Sequence, residues 1–288
     1  MSISEAELEE IKKKYEITEE QFEEMYQSCK HITFYNCKAE ENPTSVFVGG
    51  QTGAGKGGID VFSEKELLKK NQHAAILDVD IYRSLHPYVK QILKDYPTLY
   101  SDITAKVTGR ILKRIMDEAI NNNYNYIFEG TLRNTEALET MKRMPKNFNR
   151  IVRVMAICDI ESLLTAFERN YQQINISGYG RFTNVETHNI TYNGVLNTIK
   201  AIEESKEDIT IELFTRGKDM TTPIRVFSSK ESERLASDVL AEERKKDEKR
   251  YIEERRNRLN NLLETLIPKD EYEKIQIEKL QKQIIDRL

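Results

Sequence analysis

The sequence predicts an α/β fold, a parallel sheet covered by helices on both faces, with helical additions at its two ends. Three observations predict it. Short apolar runs of strand length recur at residues 44–48, 74–77, 124–128 and 151–157, as in strands buried on both faces. Segments long enough for helices lie between them, including 100–121 and 161–173, and strands alternating with helices need crossover connections, hence parallel pairing. Gly and Pro together make only 18 of 288 residues while 32% are charged, the composition of a helix-rich protein with polar helical faces. The 39% of hydrophobic residues can fill a sizeable core, and collagen-like, disulfide-scaffold and membrane classes are excluded.

In chain order, residues 1–41 form an N-terminal helical segment. Ser4 with Glu7, and Thr18 with Gln21, have capping-box spacing, Ile17 and Phe22 fit the accompanying staple, and Phe22, Met25, Tyr26 and Cys29 make one apolar helical stripe. The remaining face of that helix is acidic and expected in solvent. Residues 42–228 carry the strands. Two further β-rich stretches, 209–214 and 223–227, close the sheet or form an edge hairpin. Residues 229–288 form a charged helical C-terminal extension. From 231 onward 29 of 58 positions are charged, and leucines and isoleucines keep helical spacing on either side of Pro268, so two helical pieces broken at Pro268 are expected, their charges on solvated faces.

The start of the chain is acidic where a signal peptide needs a basic region, position 2 is Ser where myristoylation needs Gly, and no apolar run reaches membrane-spanning length. A cytoplasmic protein without a membrane partner is expected. A net charge of −4 gives no global field for a polyanion, so no nucleic-acid partner is expected. Cys29, Cys37 and Cys158 share no metal-type spacing, and neither do His31, His73, His86 and His188.

The strand at 44–48 runs directly into Gly49 and then Gly50-Gln51-Thr52-Gly53-Ala54-Gly55-Lys56, the G-x-x-x-x-G-K core of a phosphate-binding loop. Glycines let the backbone curl until successive N–H groups and a following helix N-terminus face one anion, and Lys56 adds a mobile positive charge. The motif expects Ser or Thr next, to place a hydroxyl on Mg²⁺; Gly57 and Gly58 stand there instead, so either the metal is held by carboxylates, water and the nucleotide's phosphates or catalysis is impaired. The next strand ends in Asp78-Val79-Asp80, and alternation along an extended chain sends both carboxylates to one side at a strand's carboxyl end, where open parallel sheets place ligands. Such a carboxylate can take the proton of an attacking hydroxyl, bind a metal, or cap a helix. A third strand ends in Glu129-Gly130-Thr131-Leu132-Arg133 at the same sheet edge. Phosphoryl transfer needs cations beyond the loop lysine, and Arg169, in a helical stretch, and Arg181, in a polar segment, are candidates for them, though arginines so placed are more often surface residues.

Taken in order, the loop ending in Lys56, Asp78-Val79-Asp80 followed by His86-Pro87, the run from Glu129 to Arg133, and then Arg169 and Arg181 resemble the zeta toxin family of bacterial toxin–antitoxin systems over roughly 42–228. The resemblance implies a P-loop kinase fold and an enzyme that uses ATP or GTP with Mg²⁺ to phosphorylate the sugar 3′-hydroxyl of UDP-N-acetylglucosamine or a related nucleotide sugar, arresting growth. It makes residues 50–57 the nucleotide site, with Lys56 a phosphate ligand, and Asp80 the base. It assigns Glu129, Thr131 and Arg133, with Asp80, to substrate binding, and Arg169 and Arg181 to charge stabilisation. Asp78 is the candidate metal ligand. Lys113 stands near where some members contact the sugar with an acid. Members are commonly held inactive by a small helical antitoxin over the nucleotide site, a partner implied here too. Two alternatives remain open at this point: another nucleotide, such as an NAD-like dinucleotide, as acceptor, and a non-catalytic nucleotide-binding interaction protein, because Gly57 replaces the Mg²⁺-binding hydroxyl.

Overall fold

The computed structural model describes residues 5–177, 180, 183–217, 222–266, 268 and 271–285. Its elements run α1 (Glu5–Lys14), α2 (Glu19–Thr33), β1 (Thr44–Gly49), α3 (Lys56–Lys69), β2 (Ala74–Leu77), α4 (Val79–Ser84), α5 (Val89–Asp95) and a short 3-10 turn (Pro97–Leu99). There follow α6 (Tyr100–Asn121), β3 (Asn125–Glu129), α7 (Glu136–Lys142), β4 (Asn149–Met155), α8 (Asp159–Ser177), α9 (Val185–Ser205), β5 (Ile209–Arg216) and β6 (Pro223–Ser228), and then α10 (Ala236–Glu248), α11 (Ile252–Thr265) and α12 (Glu271–Ile285). Among the described residues no helix is long and apolar enough to cross a membrane.

The sheet has six strands in the order β2-β3-β1-β4-β5-β6. The first five are parallel, and β6 pairs antiparallel with β5 at one edge, so the late β-rich stretches both widen the sheet and make an edge hairpin. The register sets Val48 beside Glu129 and Leu77 beside Phe128, which brings the carboxyl ends of β1, β2 and β3 to one rim. One face of the sheet is covered by α3, through Ile59 and Leu67 on Val46, Val48 and Ile127. The larger core joins Phe47, Tyr126 and Val152 to α2, α6, α9 and α10.

At the N-terminus the Thr18 capping box forms as expected, with Gln21 N donating to Thr18 Oγ1 and Thr18 N to Gln21 Oε1 at 3.2 and 3.0 Å. The pairing of Ser4 with Glu7 lies outside the described residues. The stripe of Phe22, Met25, Tyr26 and Cys29 is buried. The acidic face of α2 is in solvent as expected, and on that surface Glu19 and Glu23 make paired hydrogen bonds to Arg110 and Arg114 of α6.

The C-terminal extension departs most from expectation. Its described residues form three helices, since α10 is separated from α11 at Tyr251, which takes a positive φ of 57°. The break around Pro268 falls between α11 and α12 as predicted. The charges do not all face solvent. Leu259, Leu262, Ile277, Leu280 and Ile284 bury themselves against Ile160, Leu163, Leu164 and Phe167 of α8, and Arg255 is fully buried. Charge balance in a sequence cannot tell which charges pair inward, and here the inward set includes two arginines, Arg255 and Arg258, on Glu161 of α8.

Candidate active site

The phosphate-binding loop begins where β1 ends. Gly50, Gly53 and Gly55 take φ values of 149°, 80° and 92°. A Cβ on Gly53 would sit 1.9 Å from the Ser162 carbonyl oxygen, so both backbone angle and space demand glycine there. Gln51 is buried and anchors the loop from behind, its amide donating to the Ile157 carbonyl at 3.1 Å and to Ser162 Oγ at 3.0 Å. Ser162 Oγ in turn lies 2.9 Å from His188 Nε2. Burial pushes the His188 imidazole down to about 4, so a neutral ring supports the loop. His188 therefore helps hold the loop, although it has no place at its mouth.

Lys56 is the first residue of α3, with its side chain 11% exposed and Nζ 3.3 Å from the Gln51 carbonyl and 3.6 Å from Glu129 Oε1. One turn further along α3 is Asp60, which sequence reading missed. It hydrogen-bonds Glu129, and one of its oxygens is buried with no hydrogen-bond partner among the described residues. Burial first, and the Glu129 carboxylate second, push the Asp60 carboxyl up to about 8. Its spacing of four residues from Lys56, on the same helical face, was the available signal.

Asp78 and Asp80 do not share a side of an extended strand, because β2 ends at Leu77 and the chain turns into α4. Asp78 is the N-cap of that helix and accepts from Asp80 N and Ile81 N at 2.8 and 3.2 Å. Asp80 stands exposed in the first turn, with one oxygen 2.8 Å from Arg83 Nη1. Arg83 is held in place by Nε donating to Thr104 Oγ1 of α6 at 3.2 Å. At the end of β3, Gly130 N donates to the Val48 carbonyl at 2.9 Å and docks the following turn on β1. Leu132 then takes a φ of 48° with its side chain buried against Gly49, a left-handed conformation uncommon for a γ-branched residue. That turn leaves Thr131 and Arg133 exposed on either side of it.

Arg169 is half-buried on α8, three residues past Ala166, whose backbone approaches Gly53. Arg181 lies outside the described residues. Lys113 is exposed on α6. The structure thus gathers the loop, Lys56, Asp60, Asp78, Asp80 and Glu129 at one rim.

On the other side of the loop, Arg216 ends β5 and donates through Nη2 to the Gly53 carbonyl and through Nη1 to Glu161 Oε1, the latter at 2.8 Å. Glu161 is fully buried and accepts two further bonds from α11, Arg255 Nε at 2.8 Å and Arg258 Nη1 at 2.8 Å. Burial alone would raise the Glu161 carboxyl, but Arg258 and its companions hold it below the ordinary carboxylate range. Sequence reading missed Arg216, for which a cation at a strand's carboxyl end was the available signal, and the α11 arginines, far along the chain, carried none.

Gly57 is helical and exposed, with nothing within 4 Å of where a Cβ would be, and as a glycine it gives a metal no side-chain ligand. Among the described residues no group of three or more His, Cys, Asp or Glu side chains could hold a metal ion. Two carboxylates beside the loop lysine, Asp60 with its unsatisfied oxygen and Glu129, nevertheless suit Mg²⁺, which keeps several waters and takes one or two carboxylates plus substrate phosphates.

The zeta toxin family model matches residues 30–232 of this chain. The chain belongs to the zeta toxin family. With that come the kinase-like toxins of toxin–antitoxin systems as its kin. Toxin PezT of Streptococcus pneumoniae serotype 4 (strain ATCC BAA-334 / TIGR4) is 27% identical over 234 residues, covering 79% of this chain and 89% of the relative. Toxin zeta of Streptococcus pyogenes is 25% identical over 224 residues, covering 75% and 73%. Among solved structures, one from the PezAT chromosomal toxin–antitoxin system of Streptococcus pneumoniae superposes with a TM-score of 0.71 at 23% identity, covering 86% of this chain and 98% of that one. The AvrRxo1-ORF1:-ORF2 structure with ATP gives 0.55 at 12% identity, covering 84% and 77%. These likenesses bear out the expected fold. The zeta toxin match ends at 232, before α10, so the helices that bring Arg255 and Arg258 to the site lie beyond it.

Proposed function

We propose that this zeta toxin family member is a kinase that transfers the γ-phosphoryl group of ATP or GTP to the sugar 3′-hydroxyl of UDP-N-acetylglucosamine or a related nucleotide sugar, and that a small helical antitoxin covering the nucleotide site restrains it. The observation that carries this reading is the convergence of Lys56, Glu129 and Asp80 on the rim where the phosphate loop opens. The loop N–H groups and Lys56 hold the donor phosphates. Asp80, exposed and oriented by Arg83, takes the proton of the attacking hydroxyl. Thr131 and Arg133 bind the acceptor nucleotide, while Arg169 and Arg181 balance charge on the moving group. Asp60 and Glu129, with Asp78 behind them, would hold Mg²⁺, which when bound neutralises charge building between the outer phosphates.

Purified protein incubated with ATP or GTP, Mg²⁺ and a panel of nucleotide sugars and NAD-like dinucleotides, read by mass spectrometry, should show one phosphate gained on a UDP-sugar, and none with Lys56→Ala. Gain on a dinucleotide alone would change the acceptor. Tight nucleotide binding with no transfer to any member of the panel would replace the kinase by a docking protein.

A further inference from the structure

A cavity of about 530 Å³ opens beside the phosphate loop, walled by Gly55 and Gly57 of the loop and α3, Thr165 of α8, Arg216 of β5, and Glu254 and Arg258 of α11. Its position in the fold separates it from the acceptor rim. The sheet order sets β2, which leads into Asp80 of α4, and β3, which carries Glu129, on one side of β1, and β4 and β5, the latter carrying Arg216, on the other. A triphosphate lying on the loop therefore has its reacting end toward β2 and β3 and its nucleoside end toward this cavity.

The walls match that occupant. Gly55, with Gly58 beyond it, leaves bare backbone over which a ribose can lie. The volume falls in the range of small-molecule sites, about 300–1,000 Å³. Arg216 and Arg258 are fixed by shared bonds to Glu161, and Arg258 also by Glu168 Oε1 at 2.9 Å, so two guanidinium planes are already oriented for a flat aromatic base. Glu254 is different. It is exposed at the rim, and among the described residues no cation pairs with it, so its oxygens are open to hydroxyl donors.

We infer that the C-terminal extension builds the nucleoside half of the donor site, with Glu254 accepting hydrogen bonds from the ribose hydroxyls and Arg258 walling the base. This rests on the donor-site reading above and adds its recognition element, from helices beyond the span of the family match. The test compares calorimetric binding of ATP, 2′,3′-dideoxy-ATP and inorganic tripolyphosphate to wild type and to Glu254→Ala, a substitution at an exposed position. Glu254→Ala should weaken ATP roughly tenfold, as loss of a hydrogen bond to a charged group does, and leave tripolyphosphate unchanged. Wild type should bind the dideoxy compound as weakly as the variant does. Unchanged ATP affinity in Glu254→Ala, or an equal loss for ATP and tripolyphosphate, overturns the inference while leaving the phosphate site standing. If wild type binds neither ATP nor tripolyphosphate, the donor-site reading falls and takes this inference with it.

Discussion

Asp60 shows how a residue's chemistry is set by neighbours far away in sequence. Alone it is an ordinary helical acid; with Glu129 across from it and water excluded, it keeps its proton up to about 8 instead of the ordinary 3.8. The folded state then binds a proton that the unfolded state has released, so stability from this group is full below about 4 and is lost as pH rises through 8. In metal-free buffer Asp60→Asn should flatten the fall of melting temperature between pH 5 and 8.5, and should gain on wild type most at the alkaline end. A wild-type curve no steeper than the variant's would remove the coupling. Asp80→Asn should leave donor affinity nearly unchanged and cut turnover by about 10²–10⁴, the span of general-base catalysis; full activity would sink that assignment. Gly57 is the residue whose outcome depends most on backbone shape. Because it is helical with open space around it, Gly57→Thr should fold, tighten apparent Mg²⁺ affinity and raise turnover. No change in either quantity would leave Asp60 and Glu129 as sufficient metal ligands.

At the scale of elements, legibility follows the range of the interactions that fix each one. β1, β2, β3 and the loop were readable because apolar runs and glycine spacing are local. α9 was not named from sequence; it contains Asn193-Gly194, a turn signal, and glycine is required there because the Arg133 carbonyl would lie 2.3 Å from a Cβ. Asp78 and Asp80 failed the strand rule because the Asp78 cap starts a helix one residue after β2. In α8 and α11 the decisive contact joins residues about a third of the chain apart. Arg255 is fully buried between Glu161 and Asp247 Oδ2, the latter at 3.2 Å. Arg255→Ala should lower stability by roughly 3–5 kcal/mol, the cost of breaking a buried ion pair from one side, read from the urea midpoint. A shift under about 1 kcal/mol would mean that solvent reaches Glu161 freely.

For the molecule as a whole, the extension is part of the domain's interior surface and not an appendage. Deleting residues 249–288 uncovers Leu163, Leu164 and Phe167 and leaves Glu161 with Arg216 as its remaining guanidinium partner among the described residues. The truncated protein should melt earlier, bind nucleotide more weakly and show no gain in transfer activity. A large rise in activity instead would make the extension an inhibitor in cis.

The span from Glu161 to Arg258 is 97 residues. A ribosome working at about 5–20 residues per second needs roughly 5–20 s to cross it. When Glu161 is made the phosphate loop is already synthesised and Arg216 follows 55 residues later, but Arg255 and Arg258, which complete the guanidinium shell of Glu161, come only at the end of that interval. The order of translation therefore separates making the loop from settling it: the loop precedes by many seconds the arginines that complete the charge shell behind it.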